Sequence, residues 1–464
     1  MVRWRAESRI LYEYDYGLDR ATPDLVLLPR SVEQVHRAVR IARSLGVPIV
    51  PRGAGTGVAG GAVPVRAGVV LCTARLNRIL SIDPTNRIAV VEPGVINAHV
   101  TQATSEHGLF FAPDPSSQRA STIGGNVGTN AGGPHCLLYG NMVNHVLGMQ
   151  LVTSDGAVLD LGAIAPDHPG FDLPGLVTGA EGTVGIVTRV TLRLLPEAPA
   201  VCTLLASFQN VDTASAAVSR IIAAGIVPAA LELMDQLSVS AIEASFQAGF
   251  PRDAGAVLLI EIEGTEEQTQ RAGKDIQEIL TATGALATQI AQDPADRTRL
   301  WAARKGAASA LGRIAPNYYL HDAVVKRSKL PEILRQIVNI GERHNLPIAN
   351  LFHAGDGNLH PLIMFDARVH GATARVMEAG HEILRLCVTA GGSITGEHGV
   401  GVEKNEFISW TFNDDDLDRM SRVRAAFDPA GSFNPGKIFP SGTSCMDRST
   451  RAAATVPSSG HLWV

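Results

Sequence analysis

The pattern of predicted strands, helices and glycine-rich turns changes at the proline-rich run of residues 196–199. This change is the feature that most limits how the chain can fold. Between residues 24 and 195, short β-rich runs alternate with glycine-rich turns and one clear helical pattern, which predicts an α+β or α/β domain. Between residues 201 and 388, amphipathic helical patterns alternate with apolar strands, which predicts a second α+β domain with a helix-covered sheet. A chain of 464 residues is too long for a single core and agrees with this division.

Several elements can be placed from the pattern alone. A helix is predicted over residues 31–45, where Ser31 followed by Gln34 resembles a capping box. The tail from residue 441 is rich in Ser, Thr and Ala without periodicity and is predicted to be disordered. The other predicted elements are strands at 25–28, 49–50, 69–71, 88–91 and 258–262, and helices at 213–224, 266–283, 297–311, 330–344 and 372–388.

Charge and cysteine content exclude several classes of protein. The net charge is -5 and no basic run occurs, so nucleic acid is not an expected partner. No apolar run is long enough to span a membrane and residues 1–9 are charged rather than signal-like, so we expect a cytoplasmic protein without a transmembrane segment. The cysteines are scattered, odd in number and lack a C-x-x-C pair, which indicates reduced thiols rather than zinc fingers or iron–sulfur ligation.

Three glycine clusters lie in the first half of the chain. A glycine-rich backbone can approach and surround a pyrophosphate. The first cluster is neither a Rossmann fingerprint nor a Walker loop, because no helical pattern follows it directly and the Lys-Ser/Thr pair is absent. One cluster alone is better explained by a tight loop with positive φ, whereas three in one domain favour a large extended ligand with anionic groups. The clusters are Pro51-Arg52-Gly53-Ala54-Gly55-Thr56-Gly57 with Gly60 and Gly61, residues 122–133, and residues 179–187.

A histidine motif in the second half of the chain indicates a metal site. The run from His353 to His360 carries the strong turn signal Asp-Gly-Asn, which predicts a hairpin with a four-residue loop at residues 355–358. That register would place His353 opposite His360, with Cβ atoms roughly 5 Å apart. Glu397 is a candidate third ligand, and two His with one carboxylate leave open positions on a catalytic metal. Spacing alone leaves open the alternative that both histidines are packed turn residues.

These motifs, with residues 113–116 and 433–437, resemble the FAD-linked oxidases of the vanillyl-alcohol oxidase type. Within that family they are most similar to the group of the glycolate oxidase FAD-binding subunit, D-lactate dehydrogenase and D-2-hydroxyglutarate dehydrogenase. The resemblance covers residues 14–440. It implies a PCMH-type FAD-binding domain at 1–198, a substrate or cap domain at 199–391, a segment at 392–440 that returns to the flavin, and the tail at 441–464. The chain begins later than typical members, so one N-terminal helix is expected to be absent.

The resemblance also implies a set of FAD-binding residues. FAD is expected to be non-covalent, because the loop at residues 52–64 contains no histidine to which it could be attached. The implied residues are Pro51, Arg52, Gly53, Ala54, Gly55, Thr56, Gly57, Gly60, Gly61, Pro113, Asp114, Ser116, Thr122, Gly124, Gly125, Asn126, Thr129, Asn130, Gly133, Glu181, Gly182, Gly185, Ile186, Val187 and Asn434.

For the metal, the resemblance implies that His353, His360 and Glu397 hold a divalent ion, usually zinc, with manganese or iron as alternatives. His398 is the implied base, since an imidazole suits proton transfer near neutrality. In an extended segment Glu397 would face the metal and His398 the substrate. Arg304 is the implied clamp for the substrate carboxylate, although without the resemblance a solvated helix arginine is the preferred interpretation.

The implied activity is metal-assisted oxidation of a small D-2-hydroxy acid, glycolate or D-lactate, with hydride transfer to flavin N5. Without an iron–sulfur relay, electrons must pass to an external quinone, cytochrome or partner subunit, which would make the protein peripheral at the inner membrane. A dimer or a subunit of a complex is compatible with this role. Leu362 disfavours a second substrate carboxylate, although His321 and Lys326, which replace other residues in the family, could offset this.

Other functions remain open at this point. They are a D-2-hydroxyglutarate dehydrogenase, a non-catalytic FAD-binding subunit, a sugar or aldonolactone oxidase, and the non-redox ether-lipid synthase. A non-catalytic subunit would be expected to lose the metal histidines, and the last two classes lack the motif from His353 to His360.

Overall fold

The computed structural model describes residues 1–164 and 170–440, so the predicted disordered tail at 441–464 lies outside the described residues. The chain forms two compact units of mixed helix and sheet. The first unit comprises Met1–Gly133, Gly140–Glu197 and the described chain from Glu397 onward. The second unit comprises Pro134–Tyr139 and Ala198–Gly396. The predicted α+β class is confirmed.

The strands and helices are numbered in chain order. The strands are β1 (Val2–Arg3), β2 (Leu25–Leu27), β3 (Ile49–Arg52), β4 (Val69–Cys72), β5 (Ile79–Asp83), β6 (Ile88–Val91), β7 (Leu109–Phe110), β8 (Val146–Val152), β9 (Val158–Gly162), β10 (Ile186–Arg193), β11 (Leu195–Pro196), β12 (Ala200–Phe208), β13 (Ala230–Asp235), β14 (Ala256–Gly264), β15 (Ala287–Ile290), β16 (Asn317–Leu320), β17 (Ala323–Val324), β18 (Ile348–His353), β19 (Asn358–Leu359) and β20 (Pro361–Phe365). The helices are α1 (Ala6–Arg9), α2 (Val32–Ser44), α3 (Asn97–Thr104), α4 (Ile123–Thr129), α5 (Cys136–Tyr139), α6 (Leu173–Val177), α7 (Val211–Ala223), α8 (Gln236–Phe246), α9 (Glu266–Ala282), α10 (Pro294–Lys305), α11 (Ala307–Ala310), α12 (Leu330–His344), α13 (Ala372–Thr389) and α14 (Asp414–Phe427).

The first unit is built on two main sheets. One has the order β1-β2-β4-β3, with β2, β4 and β3 parallel, and the other is the antiparallel sheet β5-β6-β10-β8-β9. Helix α2 confirms the predicted helix, because Ser31 caps it by accepting the Gln34 N–H at 3.4 Å. The Gln34 side chain accepts the Arg30 N–H instead of that of Ser31, so the capping box is displaced by one residue.

The second unit has a sheet of order β15-β12-β14-β13-β18-β19-β17, with β20 pairing with β18 and β16. One face packs an apolar core against helices α8 and α10, with Met234, Leu259, Leu300 and Leu351 among its members. Helices α9 and α12 confirm the predictions at 266–283 and 330–344. Within the described residues, no helix is both long and apolar enough to cross a membrane.

One predicted helix in the second unit needs correction, and one observed helix was missed. The helix predicted at 297–311 begins earlier, at Pro294. Asp293 caps it by accepting the Asp296 N–H at 2.8 Å, and proline is favoured in the first turn of a helix. It also ends earlier, at Lys305, and a short second helix follows. Helix α8 was not predicted, and its consecutive buried residues Ala241, Ile242 and Glu243 obscure the helical period.

Candidate functional site

The first and second glycine clusters lie against each other in the first unit. A Cβ atom added to Gly53 would lie 2.3 Å from Oγ1 of Thr122, so only glycine permits this approach. Gly55 and Gly60 adopt the left-handed conformation, with φ of 75° and 72°, as expected for a glycine-rich loop. A side chain at Gly53 would separate the two clusters.

The third cluster joins the other two. The Glu181 N–H donates to the Gly128 carbonyl at 2.7 Å, and a Cβ atom on Gly182 would lie 3.0 Å from Cγ of Pro51. All three runs that the sequence indicates therefore come together in one unit. Gly185 packs closely on Leu151 and Ile186 is buried, so both residues contact the apolar core.

The second cluster is a helix rather than a tight loop. Thr122 caps helix α4 by accepting the Gly125 N–H at 3.4 Å, and Asn130 ends it with φ of 52°. A Cβ atom on Gly124 would lie 2.6 Å from Cβ of Pro93. Glycine is needed here for close packing, and not for a positive φ, so the explanation by positive φ is wrong for Gly124 and Gly125.

Other predicted cofactor residues are tied to these clusters. The side-chain amide of Asn97 donates to Oδ1 of Asn126 at 3.2 Å and to the Pro113 carbonyl at 3.0 Å. A Cβ atom on Gly133 would lie 2.5 Å from the Asp114 carbonyl oxygen. The loop at residues 113–116 is thereby fixed beside helix α4, and Asn97 is a participant that sequence reasoning missed.

Three further residues have identifiable roles. Asn434 donates from Nδ2 to the carbonyls of Gly61 and Glu181, at 2.9 and 2.6 Å, so the returning segment reaches two clusters. The Arg52 guanidinium is buried and donates to the Tyr14 carbonyl at 2.8 Å. Gly57 accepts the Tyr16 N–H at 2.8 Å, which fixes the end of the first cluster.

Glu181 holds the loop that follows His398. Its carboxylate accepts the backbone N–H groups of Val400 and Gly401 at 2.7 and 2.9 Å. Burial raises the pKa of Glu181 to about 6, against the opposing effect of those N–H groups and of Lys437 and Lys404. The carboxylate is thus a neutralisable clamp on this loop.

The histidine hairpin has a different register from the predicted one. His353 pairs with Asn358, so the turn consists of residues 354–357 and Gly357 adopts a left-handed φ of 80°. The prediction that His353 lies opposite His360 is therefore wrong. His360 is two residues beyond Asn358 and lies diagonally from His353 on the same face. Their ring centroids are still 5.0 Å apart, at an interplanar angle of 89°.

Glu232 is the residue that sequence reasoning missed in the second unit. Strands β13 and β18 pair Glu232 directly with His353, and Oε1 of Glu232 lies 2.7 Å from Nδ1 of the imidazole. The other carboxylate oxygen forms an ion pair with Arg304 of helix α10. A charged residue within the fully buried strand Ala230–Asp235 was the available signal.

The environment keeps Glu232 charged. Burial alone raises its pKa, but the nearby Arg304 and His353 more than offset this, so the net shift of the pKa is downward. Arg304 is only 4% exposed, so the interpretation as a solvated helix arginine is wrong.

The hairpin also contacts the segment that precedes Glu397. Asp322 accepts the Thr395 hydroxyl at 2.6 Å and the Gly396 N–H at 2.9 Å, and its other oxygen lies 3.8 Å from Nδ1 of His360. A Cβ atom on Gly396 would lie 2.6 Å from Oδ1 of Asn358, so glycine is required there. The second unit thus fixes the last residue before Glu397.

Glu397 and His398 begin the last segment of the first unit. The chain is bent at these residues instead of extended. Nε2 of His398 lies 3.7 Å from Oε1 of Glu397, so the expectation that the two side chains diverge is wrong.

The residues expected to decide substrate size lie in distinct environments. His321 is buried edge-on against Tyr319, with centroids 4.4 Å apart, and Gly380 of helix α13 leaves the space for its Nε2. Lys326 is exposed. Leu362 is buried in the apolar core, where its strand pairs it with Leu320 and Ala349.

A second Glu, Arg and His group lies in the same unit. Glu261 of β14 accepts two hydrogen bonds from Arg297, at 2.8 and 2.7 Å, and further bonds from Trp301 and Thr203. Nε2 of His135, in the segment Pro134–Tyr139, lies 3.1 Å from the same carboxylate. Tyr139 of that segment donates to Glu263. This group attaches the segment to the sheet.

The architecture is shared with solved flavoprotein structures. A 4-ethylphenol oxidase from Gulosibacter chungangensis superposes with a TM-score of 0.79, at 20% identity, over 95% of this chain and 94% of the other. A p-cresol methylhydroxylase gives a TM-score of 0.81, at 17% identity, over 96% and 95%. At these identities the likeness establishes the fold, a PCMH-type FAD-binding fold of the vanillyl-alcohol oxidase type.

Sequence comparison gives the family. Residues 23–162 match the model of an FAD binding domain, and residues 197–438 match that of the C-terminal domain of FAD linked oxidases. The chain belongs to the FAD-linked oxidase family, and it is an FAD-dependent oxidoreductase, as predicted.

Several curated relatives are similar over most of their length. The glycolate oxidase subunit GlcD of Escherichia coli (strain K12) is 49% identical over 443 residues, which is 95% of this chain and 89% of the relative. The subunit GlcD of Bacillus subtilis (strain 168) is 41% identical, over 93% and 92%. A D-lactate dehydrogenase of Archaeoglobus fulgidus is 32% identical, over 89% and 91%.

Proposed function

We propose that the protein oxidises a small D-2-hydroxy acid, glycolate or D-lactate, to the 2-oxo acid. The observation that carries this proposal is the buried carboxylate of Glu232, which contacts both His353 and Arg304. The proposed metal ligand His353 and the proposed carboxylate clamp Arg304 contact the same carboxylate, which supports a single site for a small hydroxy acid. The names of the relatives, glycolate oxidase subunit and D-lactate dehydrogenase, support the same class of substrate.

The proposed metal ligands are His353, His360 and Glu397, with zinc as the favoured ion. The residues fit such an ion, because Glu232 binds Nδ1 of His353 and so directs Nε2 away from the carboxylate. The adjacent rings of His353 and His360 agree with a shared ligand role. Gly396, fixed by Asp322, immediately precedes Glu397 in the chain.

Each side chain of the proposed site has a separate role in the oxidation. FAD, held by the glycine clusters of the first unit, would supply the acceptor for the hydride that leaves Cα of the substrate. A divalent ion held by His353, His360 and Glu397 would supply Lewis-acid activation of the hydroxy acid. His398 accepts the hydroxyl proton as general base, and Arg304 orients the carboxylate. Loss of the proton and the hydride converts the C–O single bond to the carbonyl of the 2-oxo acid.

The apolar surroundings of Leu362 support a small substrate. A second carboxylate beside Leu362 and Leu320 would lose its hydration without a charged partner, at a cost of a few kcal/mol. Only a cation such as His321 or Lys326, reaching that carboxylate, would offset this cost. A monocarboxylate avoids this cost, and a D-2-hydroxyglutarate dehydrogenase is therefore the less favoured alternative.

The proposed FAD site consists of the converging glycine clusters of the first unit, within the domain that we place at residues 1–198, with residues 199–391 as the cap. FAD is proposed to be non-covalent. Electrons would pass to an external quinone, cytochrome or partner subunit, and the word subunit in the names of relatives supports assembly in a complex. Oxygen should be a poor acceptor, so hydrogen peroxide should form far more slowly than dye is reduced.

Turnover by the purified holoenzyme, measured by reduction of an artificial dye, tests the proposal. The kcat/KM values for glycolate, D-lactate, L-lactate and D-2-hydroxyglutarate should be highest for glycolate or D-lactate. A clear preference for the dicarboxylate would contradict the small-substrate proposal. Failure to oxidise any of the four acids, with FAD and metal bound, would contradict the proposed function itself.

A further inference from the structure

We infer that Glu232 is a positioning residue that orients the metal ligand His353 and the carboxylate clamp Arg304 at the same time. This inference rests on the proposed function of those two residues. Glu232 itself is not expected to touch the substrate or the metal. It acts through the two side chains that do.

Glu232 fixes the orientation of the His353 ring. Because Nδ1 of the imidazole lies 2.7 Å from the Glu232 carboxylate, the ring carries its proton on Nδ1 and presents Nε2 as the metal-binding nitrogen. Carboxylates that accept this hydrogen bond fix the tautomer and orientation of a metal-binding histidine and raise its basicity. The direct pairing of Glu232 and His353 in β13 and β18 makes this contact a property of strand register.

Glu232 also forms the ion pair that holds Arg304 in place. An arginine that binds a substrate carboxylate beside a divalent ion is repelled by that ion, so an anion is needed to keep the guanidinium in place. Glu232 is fully buried and Arg304 is 4% exposed, so little solvent screens their attraction. The ion pair uses Nη2 of the guanidinium, and the planar group has further donors for a carboxylate.

The neighbouring Glu261 shows why the pair is more than a structural contact. Glu232 and Glu261 lie on the same face of the sheet, and their arginine partners, Arg304 and Arg297, are two turns apart on helix α10. Glu261 is bound by Arg297, Trp301, Thr203 and His135, and none of these is a proposed site residue. The described contacts of Glu232, by contrast, are with two proposed site residues.

The matched pair of variants Glu232→Gln and Glu261→Gln tests the inference. Both substitutions keep the size of a buried side chain and remove one charge beside an arginine and a histidine. FAD-loaded proteins would be stripped with a chelator and titrated with Zn²⁺ and Mn²⁺ against a chromophoric competitor, with flavin content and thermal midpoint recorded for each variant. Metal affinity is read without turnover.

For Glu232→Gln we expect metal affinity to fall about 10- to 100-fold, as for other residues that orient a ligand. In the reloaded enzyme, the KM for glycolate or D-lactate should rise on the order of tenfold as Arg304 loses its anchor. Glu232→Asp, which keeps the charge, should recover part of the metal affinity. Glu261→Gln should lower the thermal midpoint but leave metal affinity and KM near the wild-type values.

The outcomes separate the inference from the function on which it rests. Unchanged metal affinity in Glu232→Gln, with wild-type protein binding metal, would overturn the positioning role alone. Equal loss of metal affinity in Glu232→Gln and Glu261→Gln would also overturn it, because the effect would then be general destabilisation. Wild-type protein that binds neither ion but turns over a 2-hydroxy acid would contradict the metal ligands themselves.

Discussion

Each unit contains a buried glutamate whose pKa is shifted, and the two shifts have opposite directions. Glu181 in the first unit is bound by backbone N–H groups, and burial raises its pKa to about 6. Glu232 in the second unit contacts Arg304 and His353, and these partners lower its pKa despite its burial. The same residue type therefore serves as a neutralisable clamp on a loop in one unit and as a permanent charge in the other. Backbone groups hold the Glu181 carboxylate in the first unit, whereas charged or ionisable side chains hold the Glu232 carboxylate in the second.

The sharpest test of this division is removal of the proposed metal, whose two histidine ligands lie in the second unit. His360→Ala, or chelation of the wild-type protein, should abolish oxidation of glycolate while leaving the flavin absorption spectrum largely unchanged. The reason is that the proposed metal ligand lies in the second unit and the glycine clusters in the first. Dye reduction and the visible spectrum would be measured on the same sample. Full activity in metal-free protein would break the division.

The next largest effect should come from His398, the proposed base, which precedes the loop that Glu181 holds. His398→Asn should retain FAD and metal but lose about two to four orders of magnitude in the rate of flavin reduction, the usual contribution of a general base. Stopped-flow bleaching of the flavin under anaerobic conditions measures that rate. A loss below tenfold would show that the proton leaves by another group.

The converse of metal removal is a substitution in the first unit. Gly124→Ala places a Cβ atom 2.6 Å from Cβ of Pro93, and helix α4 must shift to relieve the contact. Overpacking of this kind costs about 1–3 kcal/mol. We expect flavin retention after gel filtration to fall while Zn²⁺ affinity of the protein is preserved. Gly225→Ala serves as a control for glycine replacement, since nothing lies near its added Cβ atom, although its φ of 77° adds local strain.

The smallest effect should be a pH dependence of stability from Glu181. Its pKa is raised from 4.5 to about 6, so the folded protein binds the proton more tightly than the unfolded chain. The resulting stability is present below pH 4.5 and is lost as the pH rises through about 6, by an amount of about 2 kcal/mol. Glu181→Gln removes this titration. The thermal midpoint of wild-type protein relative to the variant should therefore fall between pH 4.5 and 7, and a constant difference would contradict the raised pKa.

The sequence predicted the parts of the site that local patterns determine. Glycine clusters indicate where a backbone must pack closely, and the structure brings all three together. Helix α12 was predicted with its observed bounds, because its apolar residues follow the helical period without interruption. The histidine motif identified two rings that do lie side by side.

What the sequence did not predict depends on contacts between distant segments. The hairpin register was displaced because Gly357 ends the turn earlier than the Asp-Gly-Asn signal suggested. Glu232 lies 121 residues from His353, and only the pairing of β13 with β18 brings them together. Helix α4 was not predicted because glycine is a poor helix former, although packing against Pro93 requires glycine at position 124.

The route of the chain through the two units determines the order in which they can be completed during synthesis. Ile49 of β3 is hydrogen-bonded through both its backbone groups to the segment that contains Phe433, since its N–H donates to the Ser432 carbonyl and its carbonyl accepts the Asn434 N–H. The first unit includes residues 1–133 but lacks this segment until residue 434 has left the ribosome. The second unit has all its described residues once Gly396 is made. The half that is translated first is therefore the half that can finish folding last, and a fragment cut at the boundary near residue 197 would leave the edge at Ile49 without its partner.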